Sequence, residues 1–297
     1  YIKRTPEDTY KTQKRGGKGI TGLTTREEDF VEDLFITSTH DTMLFFTNKG
    51  KVYSLKAYEI PEGGRQAKGT AIINLLNLTK GERVSAVVPI EKYDPESNLV
   101  FITKEGTIKK TRLDQFKNIR KNGIIAINLR EEDELIGVRK TNGKREIVVV
   151  TTNGMSIRFD EEDVRTMGRN ATGVKAISLK EDDKVVAMDL VEEGSDLLVV
   201  SEYGFGKRTS LDEYKVQRRG GVGLKTYNTK KKTGKLVSAK VINENDEIIM
   251  ISTSGIIIRL KAKDISIMGR STQGVTLMKL GSGEDKVKAV AKYVEEE

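Results

Sequence analysis

A glycine returns about every 50 residues along this chain, each time with Ser or Thr three positions ahead of it. The pairs are Thr47 and Gly50, Thr103 and Gly106, Thr151 and Gly154, Ser201 and Gly204, and Ser252 and Gly255, at spacings of 56, 48, 50 and 51. A period of this size marks an array of one supersecondary unit, and it constrains the fold more than composition does. Apolar, β-branched runs precede these glycines at 43–46, 99–102, 147–150, 197–200 and 248–251, and others follow, as at 52–55 and 256–260. Two such runs around Asn-Lys-Gly, Asn-Gly or Ser-Gly read as a β-hairpin.

A second glycine follows in every unit, at Gly19, Gly69, Gly123, Gly173, Gly223 and Gly274, spaced 50, 54, 50, 50 and 51 apart. After it the pattern predicts a third strand (20–23, 72–76, 124–129, 174–179, 275–280), a polar loop, and a fourth strand (84–88, 135–138, 185–190, 237–241, 287–290). Four short strands repeated six times predict an all-β, six-bladed, propeller-like ring with about four strands per blade. The chain has no Trp, which excludes WD40 signatures, and no run shows sustained helical periodicity. Residues 1–297 thus read as a single six-repeat domain. Lys3 and Arg4 align with Lys207 and Arg208, so the first unit lacks its opening strand and the chain reads as a fragment of a longer polypeptide.

Composition removes several function classes. With no Cys there is neither a disulfide framework nor a thiolate metal site, and the lone His40 cannot build a multi-His centre, so no metal site is expected. No apolar run reaches the ~18 residues of a membrane helix, so no membrane contact is expected. The formal net charge of +8 points towards a polyanion.

Aligned on the repeat, the charge is ordered. Four residues before the second glycine stand Arg15, Arg65, Arg169, Arg219 and Arg270, with Arg120 one place off register in the remaining unit. Four residues after the first glycine stand Arg4, Arg158, Arg208 and Arg259, with Lys110 in the unit that also carries Lys109 and Arg112. Acidic residues gather instead between the third and fourth strands, at 27–29, 131–134, 181–183 and 284–285; Lys80 and Lys230, Lys231 and Lys232 break that rule. Equivalent blades would then carry one positive set of loops and one largely negative set. Phosphates along a duplex match the positive stripe.

The segment Gln13-Lys14-Arg15-Gly16-Gly17-Lys18-Gly19 sets three cations among three glycines, a composition suited to cradling a phosphate with backbone N–H groups. It resembles the box Gln-(Arg/Lys)-Arg-Gly-Gly-(Arg/Lys)-Gly that marks the C-terminal domain of gyrase A subunits. The resemblance extends over essentially the whole chain, including Thr39-His40-Asp41 and Asn48-Lys49-Gly50-Lys51-Val52-Tyr53. It implies a β-pinwheel whose blades exchange strands, and a non-catalytic domain that wraps double-stranded DNA so that gyrase, a type II topoisomerase, can introduce negative supercoils. The implied partners are DNA, the N-terminal core of the same polypeptide, and the gyrase B subunit in an A2B2 assembly, in the bacterial cytoplasm, with the isolated domain monomeric. The cleavage tyrosine, ATP and Mg belong to other parts of such an enzyme, so no catalytic residue and no bound cofactor are assigned here. Gln217-Arg218-Arg219-Gly220-Gly221-Val222-Gly223 is a near copy with Val222 where the box has a cation, and it reads as a secondary contact. Rival readings are the corresponding domain of topoisomerase IV, a protein-binding propeller, and a propeller enzyme with a site in its channel.

Overall fold

The computed structural model describes residues 1–6, 33, 35–64, 67–281 and 283–293. The first blade contains β1 (Thr42–Thr47), β2 (Lys51–Lys56) and β3 (Val84–Ile90). The second contains β4 (Asn98–Thr103), β5 (Thr107–Arg112) and β7 (Leu135–Thr141), with β6 (Ile124–Ile125) between them in sequence. The third contains β8 (Glu146–Thr151), β9 (Met155–Asp160) and β11 (Val185–Leu190), with β10 (Val174–Lys175) between them. The fourth contains β12 (Asp196–Ser201), β13 (Phe205–Ser210) and β15 (Leu236–Ile242), with β14 (Leu224–Lys225) between them. The last contains β16 (Glu247–Ser252), β17 (Ile257–Lys261) and β19 (Val287–Tyr293), with β18 (Val275–Thr276) between them.

The two-residue strands do not pair within their own units. The sheets run β3-β1-β2-β6, β7-β4-β5-β10, β11-β8-β9-β14 and β15-β12-β13-β18, so each of four blades takes its outer strand from the unit that follows. The last sheet, β17-β16-β19, has three strands. The ring therefore has five blades among the described residues, not the six that the repeat count predicts. The first unit supplies only isolated bridges, Ile2 with Thr70 and Arg4 with Glu62. These are the contacts of a blade's second strand with the next unit, but no first strand pairs with residues 1–6 among the described residues, so no sheet forms there.

The predicted third strands are also corrected. Residues 72–74 form a 3-10 turn, and the run from 124 leaves its ladder after two residues because the N–H groups of Ala126 and Ile127 both turn to the Gly50 carbonyl (2.8 and 3.1 Å). This crossing explains both recurring glycines. Gly154 has φ +83°, and a Cβ on it would lie 2.3 Å from the Tyr227 carbonyl oxygen; a Cβ on Gly223 would lie 2.1 Å from that of Ser156.

Consecutive β3, β7, β11, β15 and β19 pack on one another and line the hub, which puts the exchanged strands at the rim. The first strand of each blade is sandwiched between neighbours, so its residues are apolar on both faces. Leu44 and Phe46 pack with Leu99 and Phe101 of the next blade, and Val100 and Ile102 with Ile147 and Val149 beyond it. The cores thus lie between blades rather than inside them.

Buried carboxylates hold the hairpin turns. Asp183 accepts from Asn153 N (3.0 Å) and Thr152 Oγ1 (2.9 Å), and Asp285 accepts from Ser254 N and Thr253 Oγ1 (both 2.9 Å). These hydrogen bonds hold the Asp285 carboxyl well below the usual carboxylate range, against the opposing effect of desolvation. Asp133 caps Glu105 N in the same way at 3.0 Å. One member of each of the three described acidic loops therefore serves a hairpin turn.

Candidate nucleic-acid interface

Among the described residues the two cation series occupy different places. Those four residues past the first glycine face the next blade. Arg4 Nε donates to the Ile60 carbonyl (3.1 Å), Lys110 Nζ to that of Glu161 (3.0 Å), Arg158 Nη1 to that of Leu211 (2.8 Å) and Arg208 Nε to that of Ile265 (2.9 Å). Each acceptor lies in the 3-10 turn of the following unit or beside its end. Arg158 also pairs with Glu146, and Arg208 with Asp196 at 3.0 Å. Lys110 and Arg208 are each only 6% exposed. These side chains clamp blade to blade. Arg259, in the last blade, pairs with Glu247 at 3.1 Å and keeps an exposed side chain.

Of the series four residues before the second glycine, the three described members stand at the rim. Arg169 Nη1 donates to the Ile125 carbonyl (3.1 Å), Arg219 Nη1 to that of Lys175 (3.0 Å) and Arg270 Nη1 to that of Lys225 (3.2 Å). In all three the acceptor is the second residue of the preceding exchanged strand, so three successive arginines dock identically around the rim. Arg219 is further fixed by Nε to the Asp163 carbonyl at 3.0 Å. Arg169, Arg219 and Arg270 are each half-buried, while Arg120 and Arg218 are exposed nearby in sequence. Lys175 and Lys225, exposed on the exchanged strands themselves, join this surface. Sequence reasoning passed over them, although both stand two residues past the second glycine in successive units.

The near copy of the box is well placed. Gly220 has φ +86°, its N–H reaches the Ala176 carbonyl (2.7 Å), and Ser178 Oγ returns to the Gly220 carbonyl (2.7 Å). Val222 is 60% exposed at the position of the missing cation. The box itself, residues Gln13, Lys14, Arg15, Gly16, Gly17, Lys18 and Gly19, lies outside the described residues, as does Arg65.

Among the described residues no group of three or more His, Cys, Asp or Glu side chains is placed to hold a metal ion, and no helix is long and apolar enough to cross a membrane. What the rim offers is a curved row of fixed positive charge with docked guanidinium groups, which suits a polyanion of regular charge spacing.

Comparison with known proteins agrees with this architecture. Two solved structures share the fold over nearly the whole chain. The C-terminal domain of DNA topoisomerase IV matches with TM-score 0.84 and 26% identity, covering 98% of this chain and 90% of that one. The DNA gyrase A C-terminal domain matches with TM-score 0.78 and 28% identity, covering 99% and 96%. Among curated proteins, the DNA gyrase A subunit of Halalkalibacterium halodurans is 63% identical over 285 residues and that of Clostridium acetobutylicum 56% over 292, covering 96% and 98% of this chain. The chain spans about a third of the length of these relatives, 34% and 35% respectively. The family model described as DNA gyrase C-terminal domain, beta-propeller, matches residues 1–38, 41–91, 97–142, 145–192, 195–243 and 246–292, and the chain belongs to that family.

Proposed function

We propose that this chain binds double-stranded DNA without sequence preference and bends it around the rim, as the wrapping domain of a gyrase A subunit. The observation that carries the reading is the identical docking of Arg169, Arg219 and Arg270 on three successive exchanged strands. Contacts that repeat once per blade meet a phosphate backbone at intervals along a curve, and among the described residues the helices are single 3-10 turns, with no α-helix to enter a major groove. The relatives named as gyrase A subunits support gyrase over topoisomerase IV, with identities of up to 63% against 26% for the topoisomerase IV structure. In this reading the remaining partners are the N-terminal core of the same polypeptide and the gyrase B subunit, in the cytoplasm, and the chemistry of strand passage lies outside this chain.

Fluorescence anisotropy with two short duplexes of unrelated sequence tests the binding. Equal affinities are expected, with log affinity falling against log salt at a slope near −5 if roughly six phosphates are neutralised. A slope near zero, or strong preference for one duplex, contradicts the reading.

A further inference from the structure

Three lysines share one register in alternate units, three residues past the first glycine: Lys3, Lys109 and Lys207. The intervening units carry Tyr53, Ile157 and Ile258 there. Lys109 and Lys207 are fully buried, at 0% exposure each. Their ammonium groups are received by oxygens of the next unit's rim turn. Lys109 Nζ donates to the carbonyls of Gly168 (3.1 Å) and Arg169 (2.6 Å), and also to that of Ala126. Lys207 Nζ donates to the carbonyls of Gly269 (2.5 Å) and Arg270 (2.8 Å) and to Thr272 Oγ1 (3.0 Å). Lys3 does the same with Gly64 and Ala67 at 2.7 and 2.8 Å.

Packing does not call for these lysines. Isoleucine fills the same register at Ile157, where it is 1% exposed, and a buried ammonium costs desolvation that an aliphatic side chain does not. The lysines do correlate with the turn above them. Lys109 and Lys207 each lie under a Gly-Arg pair, at Gly168-Arg169 and Gly269-Arg270, and the Gly64 that Lys3 contacts is followed by Arg in the sequence, whereas the turns that pack on Tyr53 and Ile157 read Ile119-Arg120-Lys121-Asn122 and Arg218-Arg219-Gly220-Gly221. No peptide is cis, so the N–H groups of Asn170 and Ser271 stand opposite the Arg169 and Arg270 carbonyls and face away from the ammonium.

We propose that Lys109 and Lys207 are positioning residues for DNA phosphates: each draws the carbonyl oxygens of a Gly-Arg turn inward, so that the turn presents the guanidinium and the next backbone N–H outward as one phosphate seat. The assignment rests on the DNA-binding reading above. It makes the rim two-class, with lysine-backed seats alternating with glycine-rich or lysine-rich turns.

The test replaces each lysine with the residue that the intervening units use at this register. Lys207→Ile and Lys109→Ile, in the full 297-residue chain, should keep or raise the thermal midpoint. Affinity for a ~40 base-pair duplex should fall by the same factor as in Arg270→Ala or Arg169→Ala, about threefold to tenfold, and Lys207→Ile with Arg270→Ala should be no weaker than Arg270→Ala alone. Without DNA, amide exchange at Thr272, whose N–H donates to the Gly269 carbonyl within the turn, should quicken about tenfold in Lys207→Ile. Ile157→Met, at the register with no lysine, should leave affinity unchanged. If Lys207→Ile does not fold, Lys207→Met carries the same measurements with a longer side chain. An Arg270→Ala loss alongside undiminished affinity in the lysine variant overturns the role of the lysine alone, as does additive loss in the double variant. Full affinity in Arg270→Ala removes Arg270 from the interface and overturns the seat, whereas a salt slope near zero in the parent chain overturns the DNA reading itself.

Discussion

Arg219 of one unit donates through Nη1 to the carbonyl of Lys175 at 3.0 Å, and so fastens the rim turn of the fifth unit to the exchanged strand that the fourth unit lends to the blade before it. The same bond recurs one unit earlier and one later. A docked guanidinium loses less conformational freedom on meeting a phosphate than an unfastened one, which is how a structural contact sharpens a binding one. Replacing Arg169, Arg219 or Arg270 singly with Ala should weaken binding about threefold to tenfold and lessen the salt slope by about 0.9. Losses from two separate blades should add. Titrations at several salt concentrations check this, and an unaltered slope would remove that arginine from the interface.

Arg208 should behave in the opposite way. Its side chain is 7% exposed, paired with Asp196, and bonded to the next unit's turn. Arg208→Met should cost about 2 kcal/mol by stranding the partly buried Asp196 carboxylate, yet leave DNA affinity within about twofold. Urea unfolding and DNA titration of the same preparation separate the two effects. A stable variant that loses DNA would return Arg208 to the binding surface.

The acidic loops carry a third prediction. Asp183 is 3% exposed and caps its hairpin through Asn153 and Thr152. Asp183→Ala should destabilise the chain by about 1–3 kcal/mol, the cost of a buried donor left unmade, and change DNA affinity little. Glu181, beside it and exposed, should tolerate replacement by Ala within about 0.5 kcal/mol, whereas Asp182, at φ 61°, should lose more on replacement by Ala because Ala is disfavoured in the left-handed region.

The repeat was legible because glycine is required wherever one unit's backbone crosses the next, as at Gly154 and Gly223. Strand exchange was not legible, because a strand of two residues such as β10 has no periodicity of its own to read. The six-blade expectation counted second glycines, whereas a blade requires a paired first strand, and Ile2 and Arg4 make only bridges. A cation at a fixed register looks the same whether it clamps a turn or faces solvent; Arg208 and Arg270 differ only once the next blade is in place. The alternation of Lys109 and Lys207 with Ile157 was present in the aligned units and needed only to be compared down that column.

The buried lysines make pH a probe. Burial, reinforced by Arg169, pulls the Lys109 ammonium down to about 7; burial, with Arg270 adding and Glu213 opposing, pulls that of Lys207 down to about 8. Unfolded lysine titrates near ~10.4, so between these values the unfolded chain binds more protons and stability rises with pH, by at most ~1.4 kcal/mol per unit for each lysine. Below about 7 this contribution is flat. DNA affinity should run the other way, falling as pH climbs through about 7 to 8, because the charged ammonium holds the turns. Both trends should flatten when Lys109 and Lys207 are replaced together by Ile. Affinity that stays constant from about pH 6 to pH 9 in the parent chain would contradict the link.

The central claim is that the chain bends DNA, and end-to-end distance tests it most directly. Turning a ~40 base-pair duplex through about 180° costs on the order of 10 kcal/mol for a persistence length of ~150 base pairs, more than scattered rim contacts need to supply. In the proposed reading Lys14, Arg15 and Lys18, next to Gly16 and Gly17 in the sequence, would supply the dense anchor that single rim arginines lack. Fluorescence transfer between the ends of a duplex somewhat longer than this should rise sharply on adding the chain. Changing Lys14, Arg15 and Lys18 together to Ala should abolish that rise while most short-duplex affinity remains. Unchanged transfer in the triple variant would contradict an anchoring role for the box, and no rise with the parent chain at saturating concentration would contradict wrapping itself.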